Sequence, residues 1–233
     1  MPGLHIITGH YGTGKSEFSV NLALRKRVVQ GEDVTLLDLD IVNPYFRSRE
    51  ARAILEAEGI RVVSNSLEMD RGVDLPAISP AAAGSLEDRL RFVIVDLGGD
   101  PVGARVMRRF APSLPHEGVD CLYVVNRFRP ENRNADLAAA SIAAVSEASN
   151  IPVTGLINNT HLLDRTRAEH LLQGNELCRE LSHRLHLPVR FVSGHGELLR
   201  EAKKTAQGEL LGEELEIGMH LRQEWMASAP GAE

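Results

Sequence analysis

Gly9-His10-Tyr11-Gly12-Thr13-Gly14-Lys15-Ser16 constrains this chain more than any other stretch. Its spacing, G-x-x-x-x-G-K-[ST], is that of a P-loop. Successive backbone N–H groups wrap phosphate oxygens, the lysine reaches the terminal phosphates and the hydroxyl holds Mg2+. Gly12 and Gly14 permit backbone geometry that a side chain obstructs. Residues 4–8 ahead of the loop read as a short buried strand, and residues 17–30 place Phe18, Leu22 and Val29 at helical spacing. A strand, a glycine loop and then a helix start add the helix dipole to anion binding. The competing reading is a glycine turn that binds nothing. The candidate phosphate-side residues are therefore Gly9, Gly12, Thr13, Gly14, Lys15, Ser16 and Glu17, with Lys15 also acting in catalysis and Ser16 as a metal ligand.

Beyond the loop, strand and helix patterns alternate. Strands are expected over 33–37, 60–63, 91–95, 118–125, 152–157 and 188–192, and helices over 49–58, 103–110, 131–148, 166–185 and 197–204. Residues 213–226 read as a last amphipathic, acidic helix, and 64–85 as a long irregular loop with short helical turns. Such loops serve as lids or contact surfaces, or as plain surface packing. The alternation predicts an α/β fold, a single doubly wound and mostly parallel sheet with helices on both faces. One nucleotide-binding domain over 1–226 and a flexible tail over 227–233 are expected.

Composition excludes several classes. The 233 residues are 43% hydrophobic, ample for a buried core. A formal net charge of −6 argues against broad nucleic-acid affinity, and Arg105, Arg108 and Arg109 read as a solvated helix face. With no apolar run of eighteen residues and no leader pattern at the N-terminus, a cytoplasmic protein without membrane attachment is expected. Cys121 and Cys178 lie far apart and outside any C-x-x-C pair, which disfavours disulfides, structural zinc and a locally ligated cluster. His183 and His186 have no third clustered ligand and read as surface histidines.

Three carboxylates should reach the edge of the sheet that carries the loop. Asp38 and Asp40 end the second strand, and Asp96 ends the buried run Phe92-Val93-Ile94-Val95. Asp38 and Asp96 suit a Mg2+ shell, and Asp40 suits orientation of a nucleophile. The glycine pair Gly98-Gly99 would let backbone approach a γ-phosphate. The competing reading for each acid is a cap or turn residue. Guanine-reading N-K-x-D is not found, because Asn126-Arg127-Phe128-Arg129 lacks both the lysine and the acid. An asparagine amide at 158–159 can pair with adenine.

Together these residues resemble the MinD/ParA and nitrogenase-iron-protein group of SIMIBI-class P-loop ATPases, along almost the whole chain. Leu36-Leu37-Asp38-Leu39-Asp40 is similar to the D-x-D that begins switch I there, whose second acid aids hydrolysis. Asp96-Leu97-Gly98-Gly99-Asp100 resembles the D-x-x-G-D of switch II. Gly155-Leu156-Ile157-Asn158-Asn159 resembles the strand whose closing asparagine reads adenine, which carries over best to Asn159. The stretch from Val192 through His195 to Ala202 resembles the loop and helix that close over the base. The resemblance implies ATP and Mg2+ as cofactors, ADP as product, and a nucleotide-driven switch acting on a protein client, with maturation of a metalloenzyme one such role. The chain also departs from the group. His10 stands where a signature lysine crosses a dimer, which leaves the homodimer open. The paired cysteines and the basic C-terminal membrane helix have no counterpart.

A small-molecule kinase or ATP-dependent ligase of the same fold is the second reading, with 64–85 and Tyr45-Phe46-Arg47 lining an acceptor pocket. A DNA-partitioning ATPase and a non-hydrolysing scaffold rank lower.

Overall fold

The computed structural model describes residues 3–40, 51–64, 80–115 and 117–221. Among the described residues eight parallel strands form one sheet: β1 (Leu4–Thr8), β2 (Val34–Leu39), β3 (Arg61–Ser64), β4 (Phe92–Leu97), β5 (Val119–Val125), β6 (Gly155–Asn158), β7 (Val189–Gly194) and β8 (Glu213–Glu216). Their order is β3-β2-β4-β1-β5-β6-β7-β8. The chain runs from β1 outward to β2 and β3, returns through β4 beside β1, and then builds the other half from β5 to β8. The crevice at this reversal, above the C-terminal ends of β1 and its neighbours, is where open parallel sheets bind ligands.

Helices cover both faces: α1 (Lys15–Leu24), α2 (Arg52–Ala57), α3 (Pro80–Leu86), α4 (Pro101–Arg108), α5 (Ala135–Ser149), α6 (Ala168–Leu185) and α7 (Gly196–Thr205). Consecutive strand residues serve opposite cores. Ile6, Leu37, Val95 and Tyr123 pack on one side with Met107, Ile142 and Leu181. Ile7, Leu36, Ile94 and Leu122 pack on the other with Phe18, Leu22 and Leu55. With both faces covered, the central strands carry near-continuous apolar runs.

Several boundaries differ from expectation. The segment beginning at Glu213 is not a helix but the edge strand β8, in register from Phe191↔Glu213 to Gly194↔Glu216. Leu215 and Ile217 both point inward, so the apolar period is two rather than 3.6, and Gly212 and Gly218 bracket the strand. Within the expected loop, 80–86 is helical and 65–79 lie outside the described residues. Helix α4 starts at Pro101 because the Asp100 carboxylate accepts from the backbone N–H groups of Val102 and Gly103 at 2.8 and 3.0 Å. Helix α6 starts at Ala168, since residues 160–167 form a braced turn. Tyr45-Phe46-Arg47, the expected boundary near 226 and the tail lie outside the described residues. Among the described residues no helix is long and apolar enough to cross a membrane. Cys121 and Cys178 are buried and unbridged.

Candidate functional site

The loop between β1 and α1 takes a conformation that its glycines allow. Gly12 and Gly14 have φ of 75° and 85°, a left-handed region that other residues avoid. Thr13 closes a turn inside the loop, with its N–H and its hydroxyl both donating to the His10 carbonyl, at 3.1 and 2.8 Å. Neighbouring loops press against this backbone. A Cβ on Gly99 would lie 1.7 Å from the Gly9 carbonyl oxygen, so the turn after β4 rests directly on the start of the P-loop.

The predicted acids gather under it. The Lys15 ammonium lies 2.7 Å from Asp40 Oδ2, and both side chains are almost wholly buried. The Asp40 N–H donates to Asp38 Oδ1 at 3.1 Å, which ties the two acids of the D-x-D stretch together. Burial alone would lower the pKa of Lys15. The carboxylates of Asp96, Asp40 and Asp38 outweigh that and raise it, so the lysine stays charged. Burial lifts the Asp96 carboxyl to about 7, against the pull of Lys15 and with the push of Asp38 and Asp40.

Asp96 is the residue that speaks to a metal. No protein donor meets either of its buried oxygens with hydrogen-bond geometry, and the neighbouring Ser16 hydroxyl only partly offsets the burial. A fully buried carboxylate without donors is costly unless a cation completes it. Among the described residues no group of three or more His, Cys, Asp or Glu is placed to hold a metal by itself. This donor set, one or two carboxylates and a hydroxyl with room for phosphate and water, suits Mg2+ rather than an all-protein cage.

From Lys15 and Ser16 a cavity of about 470 Å3 opens away from the acids toward Leu198, Ile217, Met219 and Leu221. Its walls are predominantly apolar at the far end and polar at the loop, as expected of a small-molecule site. Asn159 stands between the two ends. Its amide nitrogen donates to the Thr13 carbonyl at 2.8 Å, and its oxygen accepts from the Ser193 hydroxyl at 2.8 Å. Because Thr13 offers only an acceptor, the orientation of the amide is fixed. Asn158 does not reach the cavity: it is fully buried, its nitrogen donating to the Leu171 carbonyl and its oxygen accepting from the Thr160 N–H. Exposed His195 borders the far end, just ahead of α7.

Glu17, expected among the phosphate-side residues, has a different task. Its carboxylate accepts from the backbone N–H groups of His220 and Leu221 at 2.7 and 3.1 Å. One turn on, Asn21 exchanges hydrogen bonds with Gly218 in both directions. Helix α1 thereby straps residues 217–221 in place as the far wall. Burial raises the pKa of Glu17, against the amides that stabilise its charge.

Two further residues escaped the sequence reading. Arg129, on the turn after β5, donates through Nε to the Gly12 carbonyl at 2.7 Å, and its guanidinium packs over Gly12. His161 sits against Gly14, and burial, followed by the charge of Arg129, lowers its pKa to about 4, so it is neutral near pH 7. Buried Asn126 links the two loops: its nitrogen donates to the His161 carbonyl while its oxygen accepts from the Phe128 N–H. The only signal for Arg129 in the sequence is its place at the end of Asn126-Arg127-Phe128-Arg129, which lacks N-K-x-D. His10 turns toward Glu131, at 3.1 Å.

No protein-family model and no curated protein matches the chain. Solved structures do. It is similar to the cell division protein FtsY of Thermotoga maritima, with 22% identity, a TM-score of 0.55, and coverage of 85% of this chain and 63% of that one. Chloroplast FtsY of Physcomitrella patens gives 21%, 0.58, and 84% and 60%. A nucleotide-binding protein of Archaeoglobus fulgidus, solved in complex with ADP, gives 15%, 0.51, and 99% and 93%. The chain thus spans about three fifths of the length of the two FtsY proteins. These likenesses show the fold, a single parallel α/β sheet with helices on both faces.

Proposed function

We propose that this chain binds ATP on the Gly9–Ser16 loop in a Mg2+-dependent manner and hydrolyses it as a conformational switch acting on a protein partner. The observation that carries the reading is the buried ion pair between Lys15 and Asp40 at 2.7 Å, beside the fully buried carboxyl of Asp96, whose neighbours Asp38 and Asp40 add negative charge. A phosphate chain offers Lys15 a stronger counter-charge. Exchanging the partner releases the Asp40 carboxylate to orient the attacking water. Bound Mg2+ would be held by Ser16 and Asp96, supported by Asp38, and would supply charge neutralisation at the phosphates.

Adenine is favoured by Asn159. With Thr13 and Ser193 already engaged, its carboxamide keeps one N–H and one lone pair, which complement N7 and the exocyclic amine of adenine. Guanine would set its O6 against that lone pair. The ADP in the Archaeoglobus neighbour supports the same choice.

A switch is favoured over a small-molecule kinase by the contact between Gly99 and Gly9. The turn that leads through Asp100 into α4 rests on the phosphate loop, so a change at the phosphates reaches a helix whose first turn exposes Val102. Phosphate release from ATP with no added metabolite, rising with a protein partner, is the expected result. Release that needs an acceptor metabolite would replace this reading with the kinase.

A further inference from the structure

We infer that Arg129 is a nucleotide-contacting residue on the nucleoside side of the site, where its guanidinium forms a platform for the purine and ribose; the inference rests on nucleotide binding at the Gly9–Ser16 loop. In a P-loop the phosphates lie on the side of the amides. Arg129 holds the opposite pole of the loop, the Gly12 carbonyl, and borders the cavity that leads to Leu198 and Ile217. Its guanidinium lies flat over Gly12: a Cβ there would stand 2.9 Å from both Cζ and Nε. Nε alone is spent on the loop, and the two terminal nitrogens donate no hydrogen bond to any described residue.

The presentation is rigid. The Arg129 N–H donates to the Asn126 carbonyl, Asn126 is fully buried, and Pro130 follows. Across the same wall, His161 is neutral near pH 7 and adds no second cation. A planar, weakly hydrated cation fixed on a cavity wall suits stacking against a purine and donation to ribose oxygens. It does not suit the γ-phosphate, from which the loop itself separates it. The residue therefore serves ADP and ATP alike, and sets affinity rather than turnover.

The test is calorimetric titration of the full chain and of Arg129→Ala and Arg129→Lys with ATP, ADP and inorganic tripolyphosphate, all with Mg2+. Arg129→Ala should weaken ATP and ADP equally, on the order of tenfold, and leave tripolyphosphate within about twofold. Arg129→Lys keeps charge and a donor for Gly12 but lacks the plane, and should recover only part of the loss. Tripolyphosphate weakened in step with ATP would overturn the inference and make Arg129 a support of the loop alone. A loss for ATP but not ADP would overturn it in favour of a γ-phosphate contact, and unchanged nucleotide affinity would overturn it outright. Wild-type protein that binds tripolyphosphate but no nucleotide would instead remove the functional reading beneath it.

Discussion

Gly99→Ala should separate contact from conformation at the base of the site. Gly99 has no left-handed backbone to relieve, so the cost of the substitution is steric. The new Cβ would lie 1.7 Å from the Gly9 carbonyl oxygen and 2.2 Å from its carbon, where ordinary contact begins at 3.4 Å. Both obstacles are backbone, so no rotamer relieves them, and the turn after β4 and the P-loop must part by roughly 1.7 Å. Overpacking of this kind costs about 1–3 kcal/mol, or roughly 2–12 °C in the unfolding midpoint of a chain this long. Displacing the phosphate amides by about an ångström should slow hydrolysis by about a hundredfold and weaken ATP binding. Gly84→Ala is the matched control: it sits in α3 with nothing within 4 Å, and should stabilise by about 0.5–1 kcal/mol with affinity unchanged. Thermal unfolding and ATP titration of the two variants decide the matter. A Gly99→Ala protein that melts and binds like wild type would show that the loop does not rest on this turn.

Asp40→Ala should keep ATP binding and lose hydrolysis, because Lys15 gains its counter-charge from phosphate; intact hydrolysis would remove the role given to Asp40. Glu17→Ala leaves the N–H groups of His220 and Leu221 without their acceptor, at a cost of about 1–3 kcal/mol. It should weaken nucleotide binding by loosening the far wall, and unfolding that matches wild type would contradict the strap. His161 should make stability fall as pH drops from about 6.5 to about 4, because only the unfolded chain takes up its proton there. The slope is at most about 1.4 kcal/mol per pH unit, and His161→Gln should flatten it in unfolding measured across that range. A slope unchanged in His161→Gln would assign the pH dependence to other groups.

The central half of the fold was legible because its strands are buried on both faces and therefore read as uninterrupted apolar runs. The P-loop and the three acids were legible because they are local signals: a fixed glycine spacing, and carboxylates at strand ends. At β8 the reading failed, since a four-residue edge strand carries one buried apolar residue, Leu215, with Ile217 just past its end, too short a run to separate a period of two from 3.6. Arg129, Ser193 and the strap from Glu17 were illegible for another reason. Each acts on a partner far away in sequence, such as Gly12 117 residues distant or His220 203 residues distant, and no local pattern records those pairings. For Asn158 and Asn159 the sequence offered two adjacent amides; the pleat of β6 decides which of them faces the cavity.

The most direct measurement of nucleotide capture by this loop is a calorimetric titration of the full chain with ATP and GTP in the presence of Mg2+, repeated on Lys15→Ala. Lys15 is the buried cation held against Asp40 in the free protein. One ATP per chain, GTP weaker by about tenfold or more for want of the adenine amine at Asn159, and no measurable binding in the variant are the expected results. ATP affinity that survives Lys15→Ala, or a preference for GTP, would contradict the site as drawn from Gly9 to Asn159.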